Sequence, residues 1–365
     1  MLVINDLDLI KIVLVKEFST FAGRGLNVDE KNEPLSANLF ALDGPRWKDL
    51  RKKLTPVFTS GKLKHMFDLI LECSDHFEKY LKEQIGNGKV IECKEPIARF
   101  TTDVIGSCAF GLDTSALENS DSEFRRIGKK IFEPNFITMI KRLIREISPG
   151  LAKFLGLRGS SKQVEDFFIS VIKDTIALRE RENIVRHDFV DTLISMKRSN
   201  DVNEWKFTDA NLAAQALVFF AAGFETSSTT ISFALLELSH TPELQEKLRK
   251  EILETMKNCD GKLTYEIVSE MKYLDMVVQE TLRKDSPALL LTRHAFQSYK
   301  VPGTDFTIEK GMSLFIPIYA IHHDPEYFPD PEVFDPERFS DEARRLRHPM
   351  AHIPFGDGPK NCIGS

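Results

Sequence analysis

The sequence runs to 365 residues, 42% hydrophobic and 28% charged, which is the make-up of an ordinary globular body and excludes a disordered tail or a repetitive fibre. Lys+Arg 49 against Asp+Glu 55 leaves a net charge of −6, so a general nucleic-acid binder, which should be basic, is excluded as well. The five cysteines, at 73, 93, 108, 259 and 362, are odd in number and contain no Cys-x-x-Cys pair; this argues against a disulfide framework and a cysteine-rich zinc site and implies a reducing compartment.

The length exceeds one typical core and allows two modest domains or one large enzyme fold. The opening MLVINDLDLIKIVLVKEF carries Asp6, Asp8, Lys11, Lys16 and Glu17 and reads as neither signal peptide nor membrane anchor. No stretch reaches the roughly 20 apolar residues of a membrane-spanning helix; the longest apolar-and-glycine run is Ala216 to Phe224. There is no internal repeat. From about Asp43 to Arg283 apolar residues recur at helical spacing.

The most informative helix is expected from a Thr208 N-cap to Thr241-Pro242, where a new cap and an N1 proline restart the chain. Its roughly 32 residues, at about 1.5 Å each, would span close to 50 Å. It is apolar on nearly every face, the mark of a helix buried in a large protein. Against that background Glu225-Thr226-Ser227-Ser228-Thr229-Thr230 is anomalous. One reading is a kink whose hydroxyls bond back to the previous turn; the other is a functional interruption. A second helix is expected over LTYEIVSEMKYLDMVVQETLRKDSP, with Thr264 as N-cap and Glu280 and Arg283 at i,i+3 on one face. By itself that pair reads as a solvated surface pair.

From Ser286 onward ten prolines crowd in, and the tail reads as short strands and extended coil. Near its end Phe355, Gly358, Cys362 and Gly364 form F-x-x-G-x-x-x-C-x-G. Two glycines around one cysteine suit a backbone hairpin that approaches something flat and large, presenting a single thiolate. A buried cysteine packed as a small hydrophobe would leave the glycines unexplained. A soft thiolate as the one protein ligand of a metal whose other positions are filled suits a haem iron.

This loop resembles the cytochrome P450 signature, and four further motifs follow the family's order. AGFET at Ala222 to Thr226 resembles its oxygen-activating helix motif, with Ala222 and Gly223 leaving room for dioxygen and Glu225 and Thr226 delivering protons, which implies that the helix opens locally there. Glu280-Thr281-Leu282-Arg283 matches E-x-x-R, Pro336-Glu337-Arg338-Phe339 matches the PERF element whose Arg338 completes an ion-pair triad, and Trp47 with Arg51 matches W-x-x-x-R. The wording of PLSANLFALDGPRWKDLRKKLTPVFTSGKLK and FDPERF is close to insect microsomal members of the CYP3 clan, the CYP6-like ones especially. The resemblance implies a mainly α fold, a large helical body with a long central I-helix and small β-sheet elements, forming a single domain over residues 1–365. It implies that the chain is a fragment lacking the N-terminal anchor and the C-terminal end.

The resemblance further implies haem b (iron protoporphyrin IX) with Cys362 as axial ligand, contacts from Phe355 and Gly364, and Trp47, Arg51, Arg293 and position 360 as propionate partners. Lys360 departs from the arginine usual there, keeping the charge but losing the planar fork. KDSPALLL at 284–291 departs too, where related sequences often carry an aromatic followed by Pro-Pro. Leu289, Leu290 and Leu291 with Phe219 and Phe220 suggest an apolar substrate pocket. The implied activity is a monooxygenase placing one atom of O2 in a lipophilic small molecule, with electrons from NADPH-cytochrome P450 reductase and cytochrome b5 as a further candidate donor. It implies a place on the cytoplasmic face of the endoplasmic reticulum membrane. Lys48, Lys52 and Lys53 are expected to point to solvent as a docking face for the acidic reductase. The alternatives are a haem-thiolate isomerase or dehydratase, which the intact ETSSTT run disfavours, and a truncated chain that binds no haem.

Overall fold

A computed structural model describes residues 1–86, 90–132, 139–141, 144, 158, 161–198, 205 and 207–365. In chain order its helices are α1 (Leu7–Lys11), α2 (Gly44–Leu54), α3 (Ser60–Gly86), α4 (Lys94–Ile105), α5 (Glu123–Phe132), α6 (Lys162–Glu182), α7 (Phe189–Arg198), α8 (Asp209–His240), α9 (Pro242–Asn258), α10 (Tyr265–Ser269), α11 (Lys272–Lys284), α12 (Ile318–His322) and α13 (Asp341–Leu346). The strands are β1 (Leu2–Val3), β2 (Leu291–His294), β3 (Tyr299–Lys300), β4 (Thr307–Ile308) and β5 (Ser313–Ile316). The fold is thus mainly α with a small β component. Two compact units emerge, one of Leu26–Glu225 and one of Met1–Gly25 with Thr226–Ser365; the division falls inside α8.

In the unit of residues 26–225 the core is aromatic. Phe110, Phe168, Phe189, Phe220 and Phe224 are fully buried. Ring centroids lie 4.9 Å apart for Phe220 and Phe224, 5.5 Å for Phe168 and Phe220, and 4.3 Å for Phe189 and Phe219. Such tilted and offset pairs add to the burial energy of the rings. The substrate-pocket expectation for Phe219 and Phe220 is therefore corrected: both rings are core, spent on packing the first half of α8. Gln215, also fully buried, accepts from Leu39 N–H and donates to the Ala37 carbonyl, each at 2.9 Å, pinning the 37–39 loop to that helix.

The other unit is organised around a three-stranded sheet in the order β1-β5-β2. β1 runs parallel to β5, with Leu2 opposite Leu314, and β2 antiparallel to it, with Arg293 opposite Leu314. Ile10, Val13, Leu14, Leu314, Ile316, Phe328, Met350 and Ile353 fill the core beneath. The tail after Ser286 also forms α12 and α13 among its strands and coil.

Local caps place the helix ends where the sequence puts them. The Thr208 hydroxyl accepts from Asn211 N–H at 3.2 Å at the start of α8, and the Thr264 hydroxyl from Ile267 N–H at 3.3 Å at the start of α10. Two expectations fail. The single helix expected after Thr264 is two, broken at Met271, whose ψ of 96° is extended. The reason is tertiary: Glu251 on α9 accepts from Tyr273 and Leu274 N–H, each at 2.9 Å, and so starts α11 afresh. Also, α8 is not buried on every face. Residues 211–216 are buried, whereas Ala222, Thr226, Ser227, Leu235 and Leu236 are exposed.

Candidate functional site

Cys362 ends a tight loop. Its N–H donates to the Phe355 carbonyl at 2.8 Å, and Asn361 N–H donates to the Gly358 carbonyl at 3.1 Å. Gly356 and Gly358 both have positive φ, 70° and 73°. At Gly358 the requirement is also steric, because an added Cβ would overlap the Leu14 carbonyl oxygen. The loop is thus pressed onto the segment after α1, with Phe355 and Gly364 exposed beside the exposed Cys362. Cys73 and Cys108 are buried; burial, then neighbouring charge, pushes their thiols up to about 11 and about 12 and keeps them protonated. Cys259 lies against the Met256 carbonyl at 3.5 Å, and Cys93 is exposed at the N-cap of α4, without flanking glycines.

Four motif residues sit on α8. It continues unbroken through Gly223, so the local opening expected at this point is absent. Instead hydroxyls bond back one turn: Thr230 to the Thr226 carbonyl at 3.0 Å and Ser232 to the Ser228 carbonyl at 2.7 Å. Gly223 allows α4 a close approach, since a Cβ there would lie 2.7 Å from Ile105 Cδ1. Thr101, also on α4, donates its hydroxyl to the Phe224 carbonyl at 2.9 Å. Glu225 receives Lys94 Nζ at 3.0 Å. Ala222 and Thr226, four residues apart and one turn above each other, are both exposed.

The cationic residues divide between the units. In one, Trp47 is buried on α2 and Arg51, i+4 from it, is half-buried. Lys53 pairs with Asp49 at 3.6 Å and is only 20% exposed, which corrects its expected place in solvent; Lys48 and Lys52 are exposed. In the other unit, Arg293 on β2 is buried, with Nη1 donating to the Thr292 carbonyl at 2.9 Å, and Lys360 is buried in the cysteine loop. Arg24 Nη2 donates to the Lys360 carbonyl at 3.1 Å, bringing a guanidinium that the sequence reading missed onto that loop. Its signal was local: Gly23-Arg24-Gly25, where Gly25 has φ 69° and a Cβ at Gly23 would lie 3.2 Å from His294 Cβ.

Glu280 and Arg283 are both fully buried on α11, not solvated. Arg283 Nε donates to Glu280 Oε2 at 2.7 Å and Nη2 to Oε1 at 2.8 Å, a bidentate pair. Arg338 Nε stands 3.6 Å from Glu280 Oε1. Asp335 N–H donates to the same carboxylate at 2.9 Å, and Arg283 Nη1 to the His322 carbonyl at 2.9 Å. Burial, outweighing the hydrogen bonds to backbone, depresses His322 to about 3, so a neutral imidazole lies beside the buried pair.

The family model described as Cytochrome P450 matches residues 1–365. The chain belongs to the cytochrome P450 family. Among curated relatives it is 45% identical to "Probable cytochrome P450 6a13" of Drosophila melanogaster over 363 residues, covering 100% of this chain and 73% of that one. It is 45% identical to "Cytochrome P450 6k1" of Blattella germanica, over 100% and 72%, and 44% identical to "Cytochrome P450 6a2" of Drosophila melanogaster, over 99% and 73%. As a P450 the chain is a haem-thiolate monooxygenase, an oxidoreductase. Its own residues fit that cofactor: an exposed thiol closes a loop that tolerates no side chain at Gly358, and the chain's two buried thiols are held protonated. Among the described residues no helix is long and apolar enough to cross a membrane.

Proposed function

We propose that this P450 places one oxygen atom of O2 in a lipophilic small molecule, using haem b ligated by Cys362 and electrons from NADPH-cytochrome P450 reductase on the cytoplasmic face of the endoplasmic reticulum, with residues 1–365 acting as one catalytic domain. The single observation carrying the reading is the exposed Cys362 on a loop whose Gly358 admits no Cβ. When bound, haem supplies the one-electron and oxygen chemistry, which a thiolate ligand biases toward O–O cleavage.

The remaining work falls to side chains. Arg293, Lys360 and Arg24 in the one unit would offer charge-assisted donors to anionic propionates, and in the other unit Trp47 and Arg51 carry the same assignment from the family motif. Phe355 and Gly364 shape the ligand loop. Glu225 and Thr226 carry protons inward along α8, while the small Ala222 leaves space beside Thr226; the room expected at Gly223 is taken by Ile105 of α4. Leu289 and Leu290, 60% and 46% exposed, offer an apolar surface to substrate. Glu280, Arg283 and Arg338 serve the scaffold: removing one partner of so buried a cluster would strand a charge, at about 3–5 kcal/mol.

Cys362→Ala should abolish the thiolate-type Soret band of the reduced carbon monoxide complex. Single replacements of Cys73, Cys93, Cys108 and Cys259 should leave it in place. A surviving band in Cys362→Ala would overturn the ligand assignment.

A further inference from the structure

We infer that Lys94 on α4 is a positioning residue for Glu225, setting the direction of its carboxylate at the solvent end of the proton route; this rests on the reading of Glu225 as a proton carrier. Three successive residues of α8 are tied to one helix. Ile105 packs against Gly223, the buried Thr101 hydroxyl donates to the Phe224 carbonyl at 2.9 Å, and Lys94 Nζ meets Glu225 Oε1 at 3.0 Å. The first two contacts fix the backbone from which the Glu225 side chain departs, and the third fixes its carboxylate.

The charges around the pair assign the partner. Arg99, Arg125 and Lys129 all converge on Glu95, at 3.1, 2.7 and 3.2 Å. Burial works against the Glu95 charge, yet these cations outweigh it and hold the carboxyl at about 2. They are committed there. Glu92 is occupied too, accepting from Lys94 and Glu95 N–H at 2.9 Å each, which caps α4 and anchors the backbone of Lys94. Among the described residues Lys94 is a cation turned to Glu225. Its side chain is 42% exposed and that of Glu225 28%, so the pair touches water on one side while α8 continues on the other. An isolated exposed pair adds little to stability. One whose carboxylate must point in a set direction acts through geometry, as proton transfer requires.

Two measurements test this. Competitive acetylation of lysines, read by mass spectrometry, should label Lys94 several-fold faster in Glu225→Gln than in the unsubstituted chain, because the amine is no longer engaged by the carboxylate. Equal labelling rates would overturn the pair itself, whatever the catalytic outcome. In reductase-supported turnover Lys94→Gln should divert reducing equivalents to peroxide, lowering the yield of product per NADPH by about tenfold, part of the roughly 10²–10⁴ that a positioned proton donor contributes. Lys94→Arg, which keeps the charge, should restore coupling. If Glu225→Gln uncouples and Lys94→Gln does not, Lys94 has no positioning role while Glu225 keeps its own. If Glu225→Gln stays fully coupled, the proton-carrier reading falls and the Lys94 inference with it.

Discussion

Asp285 shows how a single residue departs from its neighbourhood. It closes α11 just before the leucine run at 289–291, and its Oδ2 is buried without a hydrogen-bond partner. Burial, then the nearby Glu237 carboxylate, pushes its carboxyl above the usual range, while Lys284, His323 and Arg283 pull only partly the other way. Lys284 is engaged elsewhere, 2.8 Å from Glu237. The folded state therefore binds the Asp285 proton more tightly than the unfolded chain does. Its stabilising contribution is complete below the unfolded carboxylate pKa near 4 and is lost as pH rises through the higher folded value. Asp285→Asn, neutral at every pH, should raise Tm at pH 7 by about 1–2 °C, a small figure because the group is half solvated. The gain should vanish by about pH 4 in a thermal melt series. A constant gain at both pH values would show that the effect is packing and not charge. That KDSPALLL at 284–291 departs from its relatives is legible in the sequence; that Glu237, 48 residues earlier, opposes the Asp285 carboxylate is not.

At the scale of elements the divide between local and tertiary signals is sharp. Thr208 and Thr264 mark helix starts because a cap is made within four residues of itself, and Thr241-Pro242 does so through the N1 proline, Thr241 making no side-chain cap. The start of α11 depends on a carboxylate 22 residues upstream, so one helix was expected where two exist. The ligand loop is legible for the opposite reason: its glycines stand in the sequence, although what Gly358 avoids, the Leu14 carbonyl, appears only in the fold. The apolar wrapping of α8 misled in part, because periodicity does not say that Phe219 and Phe220 face an aromatic core rather than a ligand. Each Glu251 oxygen accepts from one of the two N–H groups, so Glu251→Gln keeps one acceptor, loses the other and gives up the charge at the N-terminus of α11, and should cost about 1 kcal/mol, whereas Glu251→Ala, which removes both acceptors, should cost about 1–2 kcal/mol. Urea unfolding checks both; equal costs would mean that the remaining amide oxygen contributes nothing.

At the scale of the molecule the question is how a chain of net charge −6 would meet the acidic reductase proposed as its electron donor. On α2 the buried Trp47 and half-buried Arg51 fix the rotation of the helix, and with that face turned inward Lys48 and Lys52 are left exposed. Lys53 is neutralised by Asp49, so the free positive charge of this helix face narrows to two residues. A local positive patch on an anionic body acts chiefly on encounter rate, and its field reaches about 10 Å at 0.1 M salt. Reversing both charges, as Lys48→Glu with Lys52→Glu, should slow reductase-supported turnover at low salt by at least about threefold through association, and the defect should shrink as salt is added. Lys53→Glu should act differently: placed beside Asp49 it sets two carboxylates against each other in a half-buried place, lowering stability instead of docking. Turnover driven by added peroxide needs no partner and should be nearly unchanged in the Lys48, Lys52 double variant. Equal losses with reductase and with peroxide would place the damage in the helix or the haem site, and α2 would then not be the docking face.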